Sequence, residues 1–585
     1  MSDVSHNRPA TSVVLAAPEW NWRNFLRDPV LGGALIVLVT LVAYLPAMRG
    51  GFIWDDDVLI TENPMIKASE GLQRVWFTTE APDYYPVTAS LWWAEWRWWG
   101  NSPAGYHVVN VLLHAANAVL VVLILRRLKI PGAWLAGLVF AIHPVNVATV
   151  AWISEQKNTL SMFFYTAAVL LYLRFDEDGH RQWYGCSLAA FLLALLSKSA
   201  VVMLPMVLLG CGWWLHGRTQ RKDWVRIGPF FGLSMVLGIV TMWFQYYRAL
   251  TLGGLPVRTD NVLARAATAG CALWFYLYKA LWPFDLSMIY PKWRIDASQW
   301  TPYAPGILLL VCLGGFWWKR RVWGRPLLFA FGYFVVMLTP VLGFWQISFH
   351  EYSLVADHWQ YHAIVGVIAL VTAAGVGVCR RMGPRGWMVG VLASVVVVGA
   401  LGMATWTRAS IYGASESLWQ DTVTKNPNSW VARYNLGNAY AEAGQTEAAL
   451  REYQQAVDFK WDLAEAHYNM AFVLMQAGRV DEAITHLVQA TRIHPGSADG
   501  HYTLGNALLQ AGRLEEASEE YQQTVRLNPN FAEAHYKLGA LFAKQGKIDE
   551  AIAQVESALK LEPNSERYQR TLEKLLQARG TNKKP

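Results

Sequence analysis

Three adjacent carboxylates, Asp55, Asp56 and Asp57, follow an apolar stretch near the start of the chain. Like charges this close repel one another, which raises the pKa of at least one carboxyl group. A carboxylate of this kind, just outside a membrane, could act as a general base toward an acceptor hydroxyl. The same oxygens could instead hold a divalent cation, or form no more than a solvated acidic turn or a helix cap. The three residues are therefore candidates for catalysis and for metal binding.

Further polar residues are predicted to lie on the same external face. Separate cations on one face could hold a phosphate or pyrophosphate, with each lysine acting as a point charge. Any one of them alone is more often a snorkelling lysine or a helix cap, but Lys198 interrupts an otherwise apolar run. The candidates are His143, Asn146, Glu155, Lys157, Asn158, Lys198, Lys279, Tyr290, His350, Glu351, Asp357 and His358.

An aromatic-rich stretch runs from Tyr84 to Trp99. The helical spacing of its tryptophans predicts a helix lying in the membrane interface, where tryptophan is common. The aromatic rings are suited both to anchoring in the interface and to stacking on a ligand.

The elements that must position these residues are largely apolar. Of 585 residues, 54% are hydrophobic and 16% charged, against about 25% charged in an ordinary soluble domain. Residues 414–585 contain 18 Lys and Arg and 22 Asp and Glu, whereas the first 413 contain 32 and 21. A wholly soluble protein and a single domain are therefore excluded. The basic excess lies in the membrane-like part, so it gives no indication of nucleic acid as a partner.

Eleven apolar stretches are predicted to span the bilayer, since a span needs roughly 20 apolar residues. A twelfth stretch, 263–283, is interpreted as re-entrant or interfacial, because a full span there would place a basic loop outside the cell. The predicted spans lie near 30–48, 106–128, 132–152, 158–174, 183–197, 199–215, 228–247, 306–318, 326–345, 361–379 and 387–406.

Basic residues in the short loops set the predicted orientation, because such loops stay in the cytoplasm. The external loop 49–105 instead has four basic and eight acidic residues. Residues 1–29 are then cytoplasmic and the tail is outside. The cytoplasmic clusters are Arg126, Arg127 and Lys129; Arg218, Arg221, Lys222 and Arg226; Lys319, Arg320, Arg321 and Arg325; and Arg380, Arg381 and Arg385.

The tail repeats with a period of 34 residues. This period, with glycine, alanine and proline at fixed offsets, resembles the tetratricopeptide repeat (TPR), a helix–turn–helix unit that stacks into a superhelix. The predicted array covers 414–580, with four repeats over 427–562 and a capping helix. Protein binding, a stiff spacer and an oligomerisation surface all fit it. The marker residues are Pro427, Trp461, Pro495, Pro529 and Pro563; Gly444, Gly478, Gly512 and Gly546; and Tyr434, Tyr468, Tyr502 and Tyr536.

Motifs and their order together resemble the bacterial relatives of the transmembrane-and-tetratricopeptide (TMTC) proteins, which join a GT-C membrane fold to external repeats. The resemblance covers roughly residues 30–565 and predicts an all-α chain: a polytopic GT-C-like domain over 30–413 followed by a TPR solenoid. The motifs are FIWDD at 52–56, ENP at 62–64, YYPVT at 84–88, YHVVN at 106–110, HPVN at 143–146, VAWISEQKN at 150–158, SK at 197–198, KALWP at 279–283, YP at 290–291, PVLG at 340–343 and AD at 356–357.

The resemblance implies a glycosyltransferase related to protein O-mannosyltransferases. Such enzymes take a sugar from a polyprenyl-phosphate carrier on the face away from the cytoplasm, and an acidic pair in the first external loop supplies the catalytic carboxylate. That role falls on Asp55 and Asp56. A divalent cation, if one is used, would bind at Asp55, Asp56 and Asp57. The predicted residues for donor phosphate or substrate are Tyr84, His143, Lys157, Lys198, Lys279, Asp357 and His358.

The sequence also departs from the family pattern at several positions. Tyr85 replaces an arginine, Ala148 a glutamate and Gln156 an arginine, and the Asp-Arg-Tyr of the last external loop reads Asp357-His358-Trp359. Because the acidic pair is retained, the favoured hypothesis is transfer of a mannose-like sugar to a protein or envelope acceptor in the bacterial inner membrane. In this hypothesis the repeats are periplasmic and bind the acceptor.

A non-catalytic hypothesis also fits the sequence. The membrane part would then only anchor a TPR scaffold for envelope assembly or secretion. The retained acidic pair favours the enzyme, and the lost basic residues favour the scaffold.

Overall fold

The computed structural model describes residues 29–81, 83–247, 260–345 and 347–582. Within these ranges the chain is helical and contains no β-strand, which confirms the all-α prediction. The predicted cytoplasmic segment 1–29 lies outside the described residues, apart from the first residue of α1.

The membrane part is built from helices α1 to α16. They are α1 Pro29–Tyr44, α2 Pro64–Lys67, α3 Gly71–Phe77, α4 Pro86–Trp99, α5 Pro103–Arg127, α6 Ala133–Ala141, α7 Val147–Ala151, α8 Gln156–Asp178, α9 Arg181–Ser197, α10 Leu204–His216, α11 Arg221–Trp243, α12 Val262–Leu281, α13 Ala304–Trp318, α14 Gly324–Leu338, α15 Ile364–Arg381 and α16 Gly383–Ile411.

Seven helices among the described residues are long and apolar enough to cross a membrane, or eight if the bent pair α6 and α7 forms one span. Three further helices, α1, α8 and α9, coincide with predicted spans. Of these, α1 has 16 residues and α9 has 17, and α8 ends in charged residues. The chain is therefore a membrane protein, and the total of eleven spans stays a prediction. The seven are Pro103–Arg127, Ser199–His216, Arg221–Tyr247, Thr301–Trp318, Gly324–Val341, Ile364–Arg381 and Arg385–Ile411.

The stretch interpreted as re-entrant or interfacial is one continuous helix, α12. A re-entrant loop would turn back within the bilayer, so that interpretation is wrong. Arg265, near the start of α12, donates to the carbonyl of Phe344, and the carbonyl of Ala280, near its end, is 3.1 Å from His143 Nε2. The interfacial interpretation stays a prediction.

The segment between α1 and α5 folds into short helices that carry the aromatic stretch. The predicted tryptophan-rich helix is α4, which begins with Pro86 at its first turn, where a missing N–H costs nothing. Trp92 is buried, whereas Trp98 is 71% exposed. The indole N–H of Trp93 donates to the carbonyl of Ala68 at 3.0 Å, so α4 is held against the segment that joins α2 and α3.

The tail forms four helix pairs at the predicted period, followed by a last helix. In each pair the turn is made by a glycine with φ between +71° and +78°, a conformation that residues with a Cβ rarely adopt. The helices are α17 Ser415–Lys425, α18 Trp430–Glu442, α19 Thr446–Phe459, α20 Ala464–Gln476, α21 Val480–Ile493, α22 Ala498–Gln510, α23 Leu514–Leu527, α24 Ala532–Lys544, α25 Ile548–Leu561 and α26 Glu566–Asn582.

The helix before the first repeat, α17, belongs to the hydrophobic core of the membrane part. Trp419 on α17 is 1% exposed and lies 5.6 Å, ring to ring, from Trp54. One continuous core runs from α1 to α18. Truncating a buried aromatic costs about 3–5 kcal/mol. Residue 413 lies in the turn between α16 and α17, and the start of the tail packs into the core of the membrane part.

Candidate active site

Asp55 and Asp56 point in different directions although they are neighbours. Asp56 is fully buried, and its two carboxylate oxygens accept hydrogen bonds from the backbone N–H groups of Ile53 at 2.9 Å and Ser154 at 2.7 Å. Burial raises the pKa of Asp56 to about 8, against the opposing effect of these bonds. Asp56 therefore joins the loop after α1 to the turn before α8, which is a positioning role.

Asp55 is the carboxylate that remains available for chemistry. It accepts no hydrogen bond from any described residue, and it is partly exposed. Burial raises the pKa of Asp55 to about 6, and the charge of Lys157 limits the rise. A carboxyl group with a pKa near neutrality suits a general base. Asp57 is exposed and accepts a bond from Thr61 at 2.9 Å, so it turns away from Asp55.

Glu155 holds two lysines side by side. Lys157 Nζ lies 3.0 Å from one of its oxygens and Lys198 Nζ 3.1 Å from the other. Burial disfavours the charged form of Glu155, but the two ammonium groups outweigh that effect and keep its pKa below the ordinary value. Burial also lowers the pKa of Lys198 to about 8. Two cations beside one carboxylate match the oxygens of a phosphate.

Local breaks in the helices bring these groups together. The chain bends by 46° between α6 and α7, and a 3-10 turn, Ile153–Glu155, then precedes α8. α9 packs along α8 and ends at Ser197, so Lys198 lies beside the start of α8. Asn158, one turn into α8, donates to Glu155 and to the carbonyl of His358 at 3.3 Å.

Tyr85 lies among the charged groups, and Tyr84 does not. Burial raises the pKa of Tyr85, and the field of Asp83, Lys157 and Asp55 acts on it as well. Tyr84 stacks on Phe244 with ring centroids 5.4 Å apart, and its part in binding substrate stays a prediction. Successive residues of an extended segment point to opposite sides, which no motif reveals.

Asp83 was missed by the sequence analysis. Its carboxylate accepts a hydrogen bond from Gln245, and burial raises its pKa to about 6 against the charges of Lys157 and Lys198. The available signal was its position two residues before Tyr85. We call Asp55, Asp83, Tyr85, Glu155, Lys157, Lys198 and His358 the Glu155 cluster.

His358 belongs to the Glu155 cluster, whereas its neighbour Asp357 does not. Burial lowers the pKa of His358 to about 4 against the attraction of Glu155, so its imidazole is neutral. The carboxylate of Asp357 instead accepts from the hydroxyl of Tyr290 at 2.8 Å. Burial raises the pKa of Asp357 to about 6, and the charges of Arg408 and Lys279 oppose this.

A second group of polar residues lies where the repeats meet the membrane part. Lys279 Nζ donates to the carbonyls of Phe284 at 2.6 Å and Asp285 at 3.1 Å. Arg408 pairs with Asp421 of α17 at 2.6 Å. We call Lys279, Tyr290, Asp357, Arg408, Asp421 and Lys425 the junction cluster.

Three predicted substrate-binding residues are therefore placed elsewhere. Lys279 and Asp357 belong to the junction cluster. The Nε2 atom of His143 lies beside the carbonyl of Ala280 on α12. All three side chains already have protein partners in a structural region. Their part in binding the donor phosphate or the substrate stays a prediction.

Gln156 joins a buried carboxyl group to the edge of the Glu155 cluster. Its amide donates to Glu95 of α4 at 2.7 Å, and both side chains are completely buried. Burial raises the pKa of Glu95 to about 8, so the group is mostly protonated at neutral pH. The position where the family pattern has arginine is therefore filled by a neutral pair.

An apolar cavity of about 360 Å³ lies within the membrane part. It is lined by side chains of α5, α8, α10, α14 and α15. Tyr165 and Tyr333 line it, and the hydroxyl of Tyr333 donates to the carbonyl of His362 at 2.9 Å. The cavity thus reaches the segment that carries His358.

The three adjacent carboxylates do not converge on one point. Asp56 is bonded to backbone amides and Asp57 to Thr61. Over the described ranges, no group of three or more His, Cys, Asp or Glu side chains could hold a metal ion. The geometry of Asp55, Asp56 and Asp57 therefore does not fit the predicted cation site.

Two different families match the chain, one in its membrane part and one in its tail. Residues 83–244, which contain most of the Glu155 cluster, match the family described as dolichyl-phosphate-mannose-protein mannosyltransferase. The tail matches the tetratricopeptide repeat over 418–451, 437–478, 468–522, 505–546 and 532–565. The fold is thus a helical membrane part followed by a TPR array.

Individual relatives match about 70% of the chain. The chain is 22% identical over 448 residues to protein O-mannosyl-transferase F38B6.6 of Caenorhabditis elegans, covering 72% of this chain and 62% of that protein. It is 24% identical over 493 residues to protein O-mannosyl-transferase TMTC4 of Homo sapiens, covering 71% and 64%. The chain therefore spans less than two thirds of these relatives.

Solved structures to which the chain is similar cover about a quarter of its length. MamA is 25% identical with a TM-score of 0.25, covering 27% of this chain and 91% of that structure. YrrB, described as a TPR protein with an unusual peptide-binding site, is 18% identical with a TM-score of 0.25, covering 27% and 80%.

Proposed function

We propose that the protein is a membrane glycosyltransferase. It moves a mannose-like sugar from a polyprenyl-phosphate carrier to a hydroxyl group of a polypeptide on the non-cytoplasmic face. The observation that carries the proposal is the Glu155 cluster, in which the partly exposed carboxylate of Asp55 lies near Lys157, and Lys157 shares Glu155 with Lys198. Similarity to protein mannosyltransferases over residues 83–244 supports the same reaction class.

Three side chains of the cluster, those of Asp55, Lys157 and Lys198, act directly in this reaction. Asp55 takes the proton of the acceptor hydroxyl as its oxygen bonds to the anomeric carbon of the sugar. The bond from that carbon to the phosphate oxygen breaks, and the carrier phosphate leaves with the electron pair. Lys157 and Lys198 hold the phosphate and stabilise the charge that develops on it. The products are the glycosylated acceptor and the polyprenyl phosphate.

The two lysines compensate for the missing arginine at Tyr85. An arginine would hold phosphate with a rigid fork, whereas lysines act as point charges and need a partner that fixes their spacing. Glu155 supplies that spacing through its contacts at 3.0 and 3.1 Å. The apolar cavity gives room for part of the prenyl chain beneath the cluster.

The proposed location is a bacterial inner membrane with the repeats in the periplasm. The basic clusters at the ends of α5, α10, α13 and α15 support it, since such residues remain cytoplasmic. A phosphatase fused after Pro585 should be active. A fluorescent protein that folds only in the cytoplasm should stay dark at the same position, and the opposite pattern would overturn the orientation.

A reconstituted transfer assay tests the proposed function. Full-length protein in liposomes is supplied with radiolabelled polyprenyl-phosphate mannose and a purified envelope protein fraction. Label should enter protein with the wild type and fall with Asp55→Asn, whereas Asp57→Asn is the matched control. Equal incorporation by all three proteins would refute the catalytic assignment. No transfer by any of them, over a range of sugar donors, would favour the scaffold hypothesis.

A further inference from the structure

The first helices of the first three repeats present one shared face. On α18 it carries Tyr434, Asn438 and Glu442; on α20 Glu465, Tyr468, Asn469 and Phe472; and on α22 Asp499, Tyr502 and Asn506. Residues three or four apart lie on the same side of a helix. Contacts across repeats join the face, because Asn469 donates to Tyr434 at 3.0 Å and to Asn438 at 2.9 Å. We call it the first-helix face.

This face begins beside the acidic loop. Trp54, the neighbour of Asp55, lies 5.4 Å from the ring of Tyr352, which lies 5.7 Å from the ring of Trp430 at the start of α18. Burial raises the pKa of Tyr352, and the charges of Asp55 and Glu465 raise it further. The membrane end of the first-helix face therefore lies near the candidate base.

The face has the anatomy of a binding surface. Phe472, at its centre, is 63% exposed, so its ring is accessible to a ligand. Tyrosine hydroxyls and asparagine amides surround it. Aromatic anchors ringed by polar groups are typical of protein interfaces, where a few such residues supply most of the affinity.

The charge on this face is negative and is not neutralised by the chain. No ion pair between described residues includes Asp57, Glu442, Glu465 or Asp499. Burial raises the pKa of Glu442, and the charge of Asp57 raises it further. The basic residues nearby in sequence have other partners, since Arg433 pairs with Glu452 and Lys460 with Glu351.

The fourth repeat differs from the other three. Its acidic residue at the equivalent position, Glu533, pairs with Arg567 at 3.1 Å and accepts from Tyr568 at 2.9 Å. Its first helix, α24, also carries Lys537 and Lys544. Free negative charge is thus confined to the part of the face nearest to Asp55.

We propose that the first-helix face of repeats one to three binds an extended polypeptide segment with lysine or arginine side chains, and places a neighbouring hydroxyl at Asp55. The aromatic residues contact the segment and the carboxylates select its charge. The delivery of the hydroxyl rests on the proposed function, whereas the binding does not. Basic acceptors would be selected because a cation relieves the repulsion between Asp57 and Glu442.

Binding to defined peptides tests the surface directly. Full-length protein in nanodiscs is titrated against fluorescein-labelled peptides of Gly and Ala with one threonine and two flanking lysines, and anisotropy is measured. Matched peptides carry glutamine or glutamate in place of lysine. Affinity should fall in the order lysine, glutamine, glutamate, and salt should weaken only the lysine peptide. Equal affinities for the three peptides would overturn the proposal.

Substitutions locate the binding surface. Glu442→Gln with Glu465→Gln should weaken the lysine peptide about threefold to tenfold, as expected for two exposed charge contacts. Glu515→Gln with Glu519→Gln is the matched control, because it removes two exposed charges from a second helix, α23, and should change nothing. Phe472→Ala should weaken all three peptides alike. An equal loss with the control pair, or full binding by Phe472→Ala, would overturn the assignment.

The two proposals fail in different ways. Charge-dependent binding without sugar transfer would retain the surface and reject the transferase. Sugar transfer at the same rate to all three peptides, unaffected by the Glu442 and Glu465 substitutions, would retain the transferase and reject the surface.

Discussion

The Glu155 cluster and the junction cluster contain the same types of residue, yet their charges are balanced differently. In the junction cluster each charged group has fixed protein partners, such as the two carbonyls that accept from Lys279. In the Glu155 cluster two lysines share one carboxylate, and Asp55 accepts no hydrogen bond from a described residue. Buried polar groups are normally satisfied, so incomplete balance points to a ligand.

The difference separates two roles that residue type alone cannot distinguish. Charged groups that are held by fixed protein partners stabilise the contact between the membrane part and the repeats. Charges that are left incompletely paired are available to a donor phosphate and an acceptor hydroxyl. Substitutions in the Glu155 cluster should therefore change the kinetics of transfer, whereas substitutions in the junction cluster should change the stability of the fold.

The largest expected effect is that of Asp55→Asn. The substitution keeps the shape of the side chain and removes the base, so the transfer rate should fall by about 10²–10⁴. Melting temperature should stay close to that of the wild type, because Asp55 has no hydrogen-bond partner among the described residues. Initial rates of label transfer and thermal melting of the purified protein measure the two effects.

The pH dependence of the rate provides the control. Asp55 must be ionised to accept a proton, and burial raises its pKa to about 6. The rate should therefore fall about tenfold per pH unit below about pH 6 and level off above it. Asp55→Asn should abolish this limb. If the rate of Asp55→Asn still decreased below about pH 6, another group would be responsible for the pH dependence. That result would weaken the distinction between the two clusters.

Breaking the ion pair between Arg408 and Asp421 should affect stability alone. Arg408 is 5% exposed, and leaving a buried charge without its partner costs about 3–5 kcal/mol. Arg408→Gln and Asp421→Asn should each lower the melting temperature, and the double variant should lose much less than the sum of the two. Additive losses would mean that the pair does not join α16 to α17 energetically.

The same substitution at one lysine of each cluster, Lys198 or Lys279, compares the two clusters directly. Lys198→Gln should raise the KM for the lipid donor about tenfold, because one charge-assisted contact to phosphate is lost. Lys279→Gln should leave that KM unchanged and lower the melting temperature, because its ammonium group donates to backbone carbonyls. A raised donor KM with Lys279→Gln would place the junction cluster in the donor site after all.

The fold could be predicted because its signals are local. A period of 34 residues and long apolar runs are properties of neighbouring residues, and each leads directly to an element. α17 lies before the first repeat and has no such period. Its burial of Trp419 against Trp54 depends on a contact between distant parts of the chain, which one sequence does not contain.

The candidate site could be predicted only in part. Lys198 could be predicted because it interrupts an apolar run, and Lys157 because it lies in a polar motif between two predicted spans. The choice between Tyr84 and Tyr85, or between Asp357 and His358, depends on the direction of adjacent side chains. The motifs put Tyr84, Asp357 and His358 into one site. In the structure, Tyr85 and His358 lie in the Glu155 cluster, whereas Tyr84 contacts Phe244 and Asp357 contacts Tyr290.

Glu95→Gln is expected to have the smallest effect, and it tests where the Glu155 cluster ends. Burial raises the pKa of Glu95 from its ordinary value to about 8, so the folded protein binds a proton that the unfolded chain releases. The stability contributed by this group is fully present at low pH and is lost as pH rises from about 4.5 to about 8. Glutamine resembles the protonated form and needs no proton. The variant should therefore match the wild type near pH 5 and melt at a higher temperature near pH 8, by a few degrees.

Transfer activity should be unchanged if the neutral pair of Glu95 and Gln156 is structural. A loss of activity at unchanged melting temperature would extend the catalytic cluster to α4, and a lower melting temperature at pH 8 would mean that Glu95 is ionised in the folded protein.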